Sequence, residues 1–121
     1  MARVAVTSPL PGTAVQRLAQ EHEVVVRSGP PLSGSKLADF VGDADALICL
    51  LADRVTLELF ARTKNLKVVA VYAVGVNNVD LRAAFQAGVW VTNTPDVLTD
   101  ATADLTMALL LAVTRRVVEG D

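Results

Sequence analysis

The sequence contains one loop in which the main chain, rather than the side chains, could do chemistry. In "VYAVGVNNVD", residues 71–80, an apolar run passes within five residues into a glycine, two asparagines and an aspartate. Gly75 permits a ligand to approach the main chain closely, because it carries no side chain. The successive N–H groups of Val74, Gly75 and Val76 could then form a concave nest for an anion such as a carboxylate.

The same loop also has a purely structural interpretation. Asn78 can brace the loop or cap the helix that follows, and Asp80 can occupy the first turn of that helix. A tight turn with a helix cap accounts for these residue types as well as an anion site does. The residues alone therefore leave both interpretations open.

Two other loops suggest phosphate chemistry, and both suggestions fail on their residues. "TSPLPGT", residues 7–13, places hydroxyls and a glycine before a helix, but its two prolines lack the N–H donors of a phosphate cradle. A phosphorelay receiver needs an aspartate after its third strand, where this chain has Cys49-Leu50, and acidic residues after its first strand, where Thr7-Ser8 stand. A flavin or phosphorelay domain is therefore disfavoured.

Side chains that could act as catalysts are scarce. The single histidine, His22, lies at the end of the first helical pattern, on the side of the sheet opposite the expected cleft. The single cysteine, Cys49, lies in an apolar run and is interpreted as a small buried hydrophobe. The chain has neither G-x-G-x-x-G nor G-x-x-x-x-G-K-[ST]. We therefore predict no catalytic residue and no metal site in this chain.

The composition indicates an ordinary globular protein. The 121 residues are 52% hydrophobic and 20% charged, with a formal net charge of −2. Because there is no basic patch, a nucleic-acid partner is not expected. The longest apolar run, "MALLLAV" at 107–113, is shorter than the roughly 20 residues of a membrane span. With one cysteine and no secretory signal pattern, we predict a cytoplasmic protein without membrane contact.

Short apolar runs alternate with helical patterns along the whole chain. The predicted strands are residues 3–7, 23–27, 46–50, 67–71 and 89–92. The predicted helices are residues 13–22, 35–42, 56–63, 79–88 and 99–119. Strands that read as continuous apolar runs are typical of a parallel sheet covered on both faces. We predict an α/β fold, a flavodoxin-like three-layer sandwich with a five-stranded parallel sheet of order 2-1-3-4-5.

The last predicted helix is long and apolar on nearly every side. The segment "TNTPDVLTDATAD", residues 92–104, offers two helix starts, at Thr94-Pro95 and Thr99-Asp100. Hydroxyl and N–H groups at such a start suit a polar ligand. The leucines and valines that follow point all round the helix, which predicts packing partners on several sides.

Most of the chain resembles one enzyme family. The stretch "NLKVVAVYAVGVNNVDLRAAFQAGVWVTNTPDVLTDATADLTMALLLAVTRR" is similar to the D-isomer-specific 2-hydroxyacid dehydrogenases, most closely their glyoxylate/hydroxypyruvate reductase branch. "DADALICLLADRVTLELFA" is also typical of that family. The resemblance implies a flavodoxin-like substrate-binding, or catalytic, lobe at residues 1–98 and an interdomain helix at 99–121.

In that family a Rossmann lobe binds NAD or NADP, and the resemblance ends before it. The dinucleotide fingerprint, the catalytic Arg, Glu and His, and the segment that returns to complete the first lobe would all lie in sequence absent here. The resemblance therefore implies that the full enzyme uses NAD or NADP, while this chain is expected to bind no cofactor and to be inactive alone.

The resemblance assigns roles to particular residues. The loop Ala73, Val74, Gly75 and Val76 would hold the substrate carboxylate through backbone N–H groups. The remaining assignments are Leu51 lining the substrate pocket, Tyr72 packed near it, and Thr102 touching the nicotinamide end of the cofactor. Relatives often carry an aromatic residue and an aspartate where this chain has Val76-Asn77, which leaves the preferred substrate open.

The favoured hypothesis is the substrate-binding lobe of an enzyme that reduces a small 2-oxo acid, such as glyoxylate or hydroxypyruvate, to its 2-hydroxy acid. The alternative is an isolated flavodoxin-like module with only a structural or self-assembly role. In either case the apolar last helix predicts a homodimer, in which this helix can be exchanged between two chains.

Overall fold

The computed structural model describes residues 1–120, and five parallel strands alternate with helices along them. The strands are β1 (Arg3–Val6), β2 (Glu23–Val26), β3 (Ala46–Cys49), β4 (Val68–Val71) and β5 (Trp90–Thr92). They form one sheet in the order β2-β1-β3-β4-β5, in which every neighbouring pair is parallel. The predicted flavodoxin-like order is therefore confirmed.

The helices connect and follow these strands. They are α1 (Ala14–Leu18), α2 (Gly34–Val41), α3 (Leu57–Arg62), α4 (Leu81–Gln86), α5 (Thr99–Thr114) and α6 (Val117–Gly120). The bounds of α2, α3 and α4 lie within two residues of the prediction. α1 is shorter than predicted, because the chain closes into tight turns after it: the Gln20 N–H donates to the Arg17 carbonyl and the Glu21 N–H to the Leu18 carbonyl.

The prediction of one continuous helix at the carboxyl end was wrong. α5 ends at Thr114, and α6 is a separate short helix. The break has a backbone cause, since Arg116 adopts the left-handed region with φ of 53°. The last residue of the predicted interdomain segment, Asp121, lies outside the described residues.

The core lies on one face of the sheet, under α2, α3 and α4. In register across the strands, Ala5, Leu47 and Val69 form a row on that face. Helix residues packed in the same core include Leu37, Val41, Leu59, Phe60, Ala83 and Ala84. Each fully buried aliphatic side chain in such a core contributes about 1.5–3 kcal/mol, so this layer holds the strands together.

The opposite face is covered at β1 and becomes open towards β5. Val6 is fully buried, whereas its neighbours Ile48 and Ala70 along the same row are only half-buried. In the adjacent row Val68 is half-buried and Trp90 is 77% exposed. Within residues 1–120 the core face is thus covered from β1 to β4 and the opposite face only at β1, although the apolar strands predict cover on both faces.

Candidate functional site

The carboxyl ends of β3 and β4 carry two loops that are tied together. The Tyr72 N–H donates to the Cys49 carbonyl at 2.8 Å. The side-chain amide of Asn78 donates to two carbonyls of the β3 loop, at 3.1 Å to Leu50 and 3.0 Å to Asp53. Of the two roles predicted for Asn78, the structure therefore shows the bracing one.

Asp80, expected in the first turn of α4, is instead its N-cap. One of its carboxylate oxygens accepts a hydrogen bond from the Ala83 N–H at 2.9 Å. This bond satisfies a donor that the helix leaves free at its amino end. The loop before α4 is thus a capped turn, as the structural interpretation predicts. The anion interpretation depends on the other main-chain N–H groups of the loop.

Three successive N–H groups of this loop are free. Within residues 1–120, the main-chain N–H groups of Val74, Gly75 and Val76 donate no hydrogen bond to protein. The Ala73 N–H before them donates to the Val71 carbonyl. After them the main-chain N–H groups of Asn77 and Asn78 are also unbonded within those residues, and the next bonded donor is the Val79 N–H, which donates to the Val76 carbonyl. A free stretch of N–H donors between two bonded ones is the arrangement that an anion needs.

Open space adjoins the main chain at Gly75. A Cβ added there would meet no other atom within 4 Å, and the φ of Gly75 is not in the left-handed region. Neither packing nor backbone conformation therefore demands glycine at this position. Gly75 therefore borders open space in a segment whose main-chain N–H groups are unpaired.

Side chains from three loops line two clefts at this edge of the sheet, and among Val74, Gly75 and Val76 only Val74 lines either of them. One cleft of about 560 Å³ is lined by Leu51, Arg54 and Asn77 among others. A second, of about 650 Å³, lies between Val74 and the first turns of α5, where Thr102 stands. The structure thus places Val74 and Thr102 at one cleft and Leu51 at its neighbour. Tyr72, about half exposed, lines neither of these two clefts.

Sequence reasoning missed Asp53, a buried residue whose side chain is hydrogen-bonded to three segments at this edge of the sheet. Its side chain accepts hydrogen bonds from the Thr7 hydroxyl at 2.5 Å, the Leu32 N–H at 2.9 Å and the Leu50 N–H at 3.0 Å. Only 3% of Asp53 is exposed. The sequence around Asp53 could indicate only a turn, in which the Asp53 N–H donates to the Leu50 carbonyl. The partners at positions 7 and 32 are distant in sequence and could not be predicted.

Cys49 lies directly beneath this network. It is buried, as predicted, and is a free thiol. Burial, with a smaller contribution from the negative charge of Asp53, raises the pKa of the Cys49 thiol to about 12, despite an opposing contribution from the nearby Asn78 side chain. The thiol is therefore neutral at physiological pH and is not a nucleophile.

Other chemistry is far from the clefts. His22 lies at the amino edge of the sheet, where its Nδ1 accepts a hydrogen bond from the Ala2 N–H at 3.3 Å. In the part of the chain that the structure describes, no three His, Cys, Asp or Glu side chains are grouped as metal ligands. Over the same residues, every helix is too short or too polar to cross a bilayer.

Comparisons with known proteins agree with this geometry. Residues 4–119 match the model of the D-isomer specific 2-hydroxyacid dehydrogenase catalytic domain. The chain is 44% identical over 120 residues to the glyoxylate reductase of Pyrococcus furiosus and 42% identical over 121 residues to that of Thermofilum pendens. Each match covers 98% of this chain and 36% of the relative, so the chain spans about a third of the length of these relatives.

Solved structures show the same relationship. A protein from Thermus thermophilus superposes with a TM-score of 0.90 at 54% identity, over 98% of this chain and 38% of that one. A 2-hydroxyacid dehydrogenase from Ketogulonicigenium vulgare superposes with a TM-score of 0.79 at 30% identity, over 98% and 37% respectively. With its sheet order, its loop geometry and a family match over nearly its whole length, this chain belongs to the D-isomer-specific 2-hydroxyacid dehydrogenase family.

Proposed function

We propose that this chain is a substrate-binding lobe that holds the carboxylate of a small 2-oxo acid on the N–H groups of Val74, Gly75 and Val76. The observation that carries the proposal is that these three successive donors are free, beside open space at Gly75. Ala73 belongs to the same loop, and Leu51 and Tyr72 supply apolar surface beside it. The similarity to glyoxylate reductases supports glyoxylate or hydroxypyruvate as the substrate class.

The reaction of the longer enzyme is reduction of the 2-oxo group to a 2-hydroxy group, with hydride supplied by NADH or NADPH when it is bound. The cleft between Val74 and α5 is wide enough for part of such a cofactor, and the Thr102 side chain lines it. The residues of this lobe would bind and orient the acid; neither cleft is lined by a histidine that could donate the proton. We therefore infer that the lobe alone is inactive.

We also propose that residues 1–98 form the lobe and that 99–121 lead into a further domain that binds NAD or NADP. Two features of the described residues support this division. α5 buries none of its side chains against the sheet, and the open sheet face near β5 leaves Trp90 exposed. Both surfaces are apolar, so both would be stabilised by contact with further protein.

An amide-resolved NMR titration of the chain with glyoxylate, and then with oxalate, tests the proposal. We expect chemical-shift changes centred on Val74, Gly75 and Val76, because a bound carboxylate would accept hydrogen bonds from these groups. Chloride at equal ionic strength is the control. If glyoxylate and oxalate leave these three amides unchanged, this lobe has no preformed carboxylate site.

A second candidate function, an isolated module that only self-assembles, is favoured by one observation. The apolar side chains of α5 are more than half exposed at Leu105, Met107, Leu109, Leu110, Leu111 and Val113. We propose that two chains associate through this helix, as a homodimer in which the helix can be exchanged. A single monomeric species in sedimentation runs up to high concentration would contradict association.

A further inference from the structure

Two N–H groups of the proposed carboxylate site, those of Val74 and Gly75, owe their direction to the segment after β5. The carbonyl of Ala73 accepts a hydrogen bond from the Thr94 N–H at 2.9 Å. The next carbonyl, that of Val74, accepts one from the side-chain Nδ2 of Asn93 at 2.7 Å. Two consecutive carbonyls are thus held towards the same neighbouring segment, whereas in a regular strand they would alternate.

This arrangement determines where the opposite ends of the two peptide groups point. The chain contains no cis peptide bond within residues 1–120, and in a trans peptide the C=O and the N–H are directed oppositely. Because the carbonyls of Ala73 and Val74 face the Asn93–Thr94 segment, the N–H groups of Val74 and Gly75 both face away from it. Two neighbouring N–H groups on one side of the chain can bind one anion together.

The two restraints differ in kind. The Thr94 bond is a main-chain bond, so side-chain substitution does not remove it. The Asn93 bond comes from a side chain on an exposed position, and it is the one hydrogen bond within residues 1–120 that the Val74 carbonyl accepts. Without it, the peptide between Val74 and Gly75 is free to rotate, because Gly75 has no Cβ to restrict it.

We propose that Asn93 is a positioning residue, which holds the Val74–Gly75 peptide in the orientation that binds the substrate carboxylate. Asn93 touches neither the substrate nor the cofactor in this proposal; it acts through the Val74 carbonyl. The inference rests on the proposed function of the loop and extends it, by naming the side chain on which the direction of a main-chain donor depends.

The test uses the 121-residue chain, with Asn93→Leu as the main variant. Leucine is similar in shape to asparagine but has no donor. Asn93→Gln keeps an amide donor on a longer arm. Asn65→Leu is the matched control, because Asn65 is also an exposed asparagine that donates to a carbonyl, that of Asp43, at the other end of the sheet.

Two quantities are measured for each variant. The residual dipolar coupling of the Gly75 N–H reports the orientation of the peptide without any ligand, and an NMR titration gives the Kd for glyoxylate. For Asn93→Leu we expect a changed Gly75 coupling and a Kd raised about threefold to tenfold, the loss expected for one solvent-accessible hydrogen bond. Asn93→Gln should lie between the wild type and Asn93→Leu, and Asn65→Leu should match the wild type.

The outcomes separate this inference from the proposed function. If the wild type binds glyoxylate and Asn93→Leu has an unchanged Gly75 coupling or an unchanged Kd, Asn93 does not position the loop. If the wild type does not bind glyoxylate, the proposed carboxylate site fails for this chain. In that case the Gly75 coupling alone decides whether Asn93 orients the peptide: a changed coupling supports it and an unchanged coupling overturns it.

Discussion

At the scale of single residues, we expect a substitution at Gly75 to weaken ligand binding without destabilising the fold. Because its φ is ordinary and its surroundings are open, Gly75→Ala should fold as well as the wild type or be about 0.4–1 kcal/mol more stable. The added methyl group would occupy the space where the carboxylate is proposed to lie. We expect at least about a tenfold rise in the Kd for glyoxylate, measured by NMR titration.

Gly88→Ala is the matched control for that variant. Gly88 has φ of +69°, which an alanine adopts only with strain, and it lies after α4 at the opposite end of the strands. We expect a loss of about 1 kcal/mol in the free energy of unfolding and an unchanged Kd. Should Gly75→Ala bind glyoxylate as tightly as the wild type, the open space is not the ligand site.

Asp53 is the residue on which the loops at the carboxyl edge most depend. Asp53→Ala would leave the Leu32 and Leu50 N–H groups without the acceptor that they share in the folded chain. We expect the free energy of unfolding to fall by about 2–4 kcal/mol, measured by urea denaturation. Asp104→Ala, at an exposed position of α5, should change it by less than about 0.5 kcal/mol. Equal effects of the two variants would contradict a special role for Asp53.

Cys49 predicts a dependence of stability on alkaline pH. In the folded chain the pKa of its thiol is raised to about 12 from 9.0, so the unfolded chain loses this proton first. The free energy of unfolding should therefore fall as the pH rises from about 9 towards 12, and Cys49→Ala should lack that part of the slope. Urea denaturation at a series of pH values measures it. A slope identical in the two proteins would show that the thiol is not held neutral by folding.

Residue types drew attention to the loop for which we propose a carboxylate site, but not to the side chains that support this loop. The N–H groups from Val74 to Val76 could be named as candidates because a glycine and amides follow an apolar strand there, while the same residue types fit a capped turn equally well. Asp53 and Asn93 could not, because their roles depend on partners 19 to 46 positions away, which only the folded chain brings near. An aspartate in a turn and an asparagine after a strand look like ordinary surface residues.

At the scale of elements, the alternation of apolar runs and helical patterns was sufficient to predict the sheet and its order. Parallel strands with right-handed crossovers leave few arrangements, and the predicted one is found. The ends of α1 and of the last helix were not predictable in the same way. They depend on the backbone conformation of single residues, such as the left-handed conformation of Arg116, which the residue type does not predict.

α5 is expected to drive association without contributing to the stability of the lobe. Leu105 on α5 and Leu57 on α3 are equally exposed, at 59% each, so Leu105→Gln and Leu57→Gln are matched. We expect both variants to unfold with the wild-type free energy, within about 0.5 kcal/mol. Sedimentation velocity over a range of concentrations should show weaker association for Leu105→Gln alone. The same loss in both variants would mean that association does not involve α5.

At the scale of the whole molecule, the chain consists of a well-packed sheet layer and a helix that leaves it. Because no residue of α5 is buried, its stability depends on its own hydrogen bonds, and isolated helices of about 12–15 residues are marginal in water. In dilute samples, amide hydrogen exchange should be fast throughout α5 and slow in β3 and β4. Slow exchange along α5 at a concentration where the chain is monomeric would show that the helix is stabilised by contacts with the lobe.

The free N–H groups between Val74 and Val76 also bear on how such a lobe can diversify. An anion held by the main chain does not depend on which side chains the loop carries, so the amino acids at 74, 76 and 77 can drift without loss of the charge recognition. Variation at those positions would then change the size and polarity of the acid accepted, while the demand for a carboxylate persisted. During evolution one loop could in this way bind different acids in turn. The backbone conformation would preserve the specificity for a carboxylate, while the side chains changed the rest of the specificity.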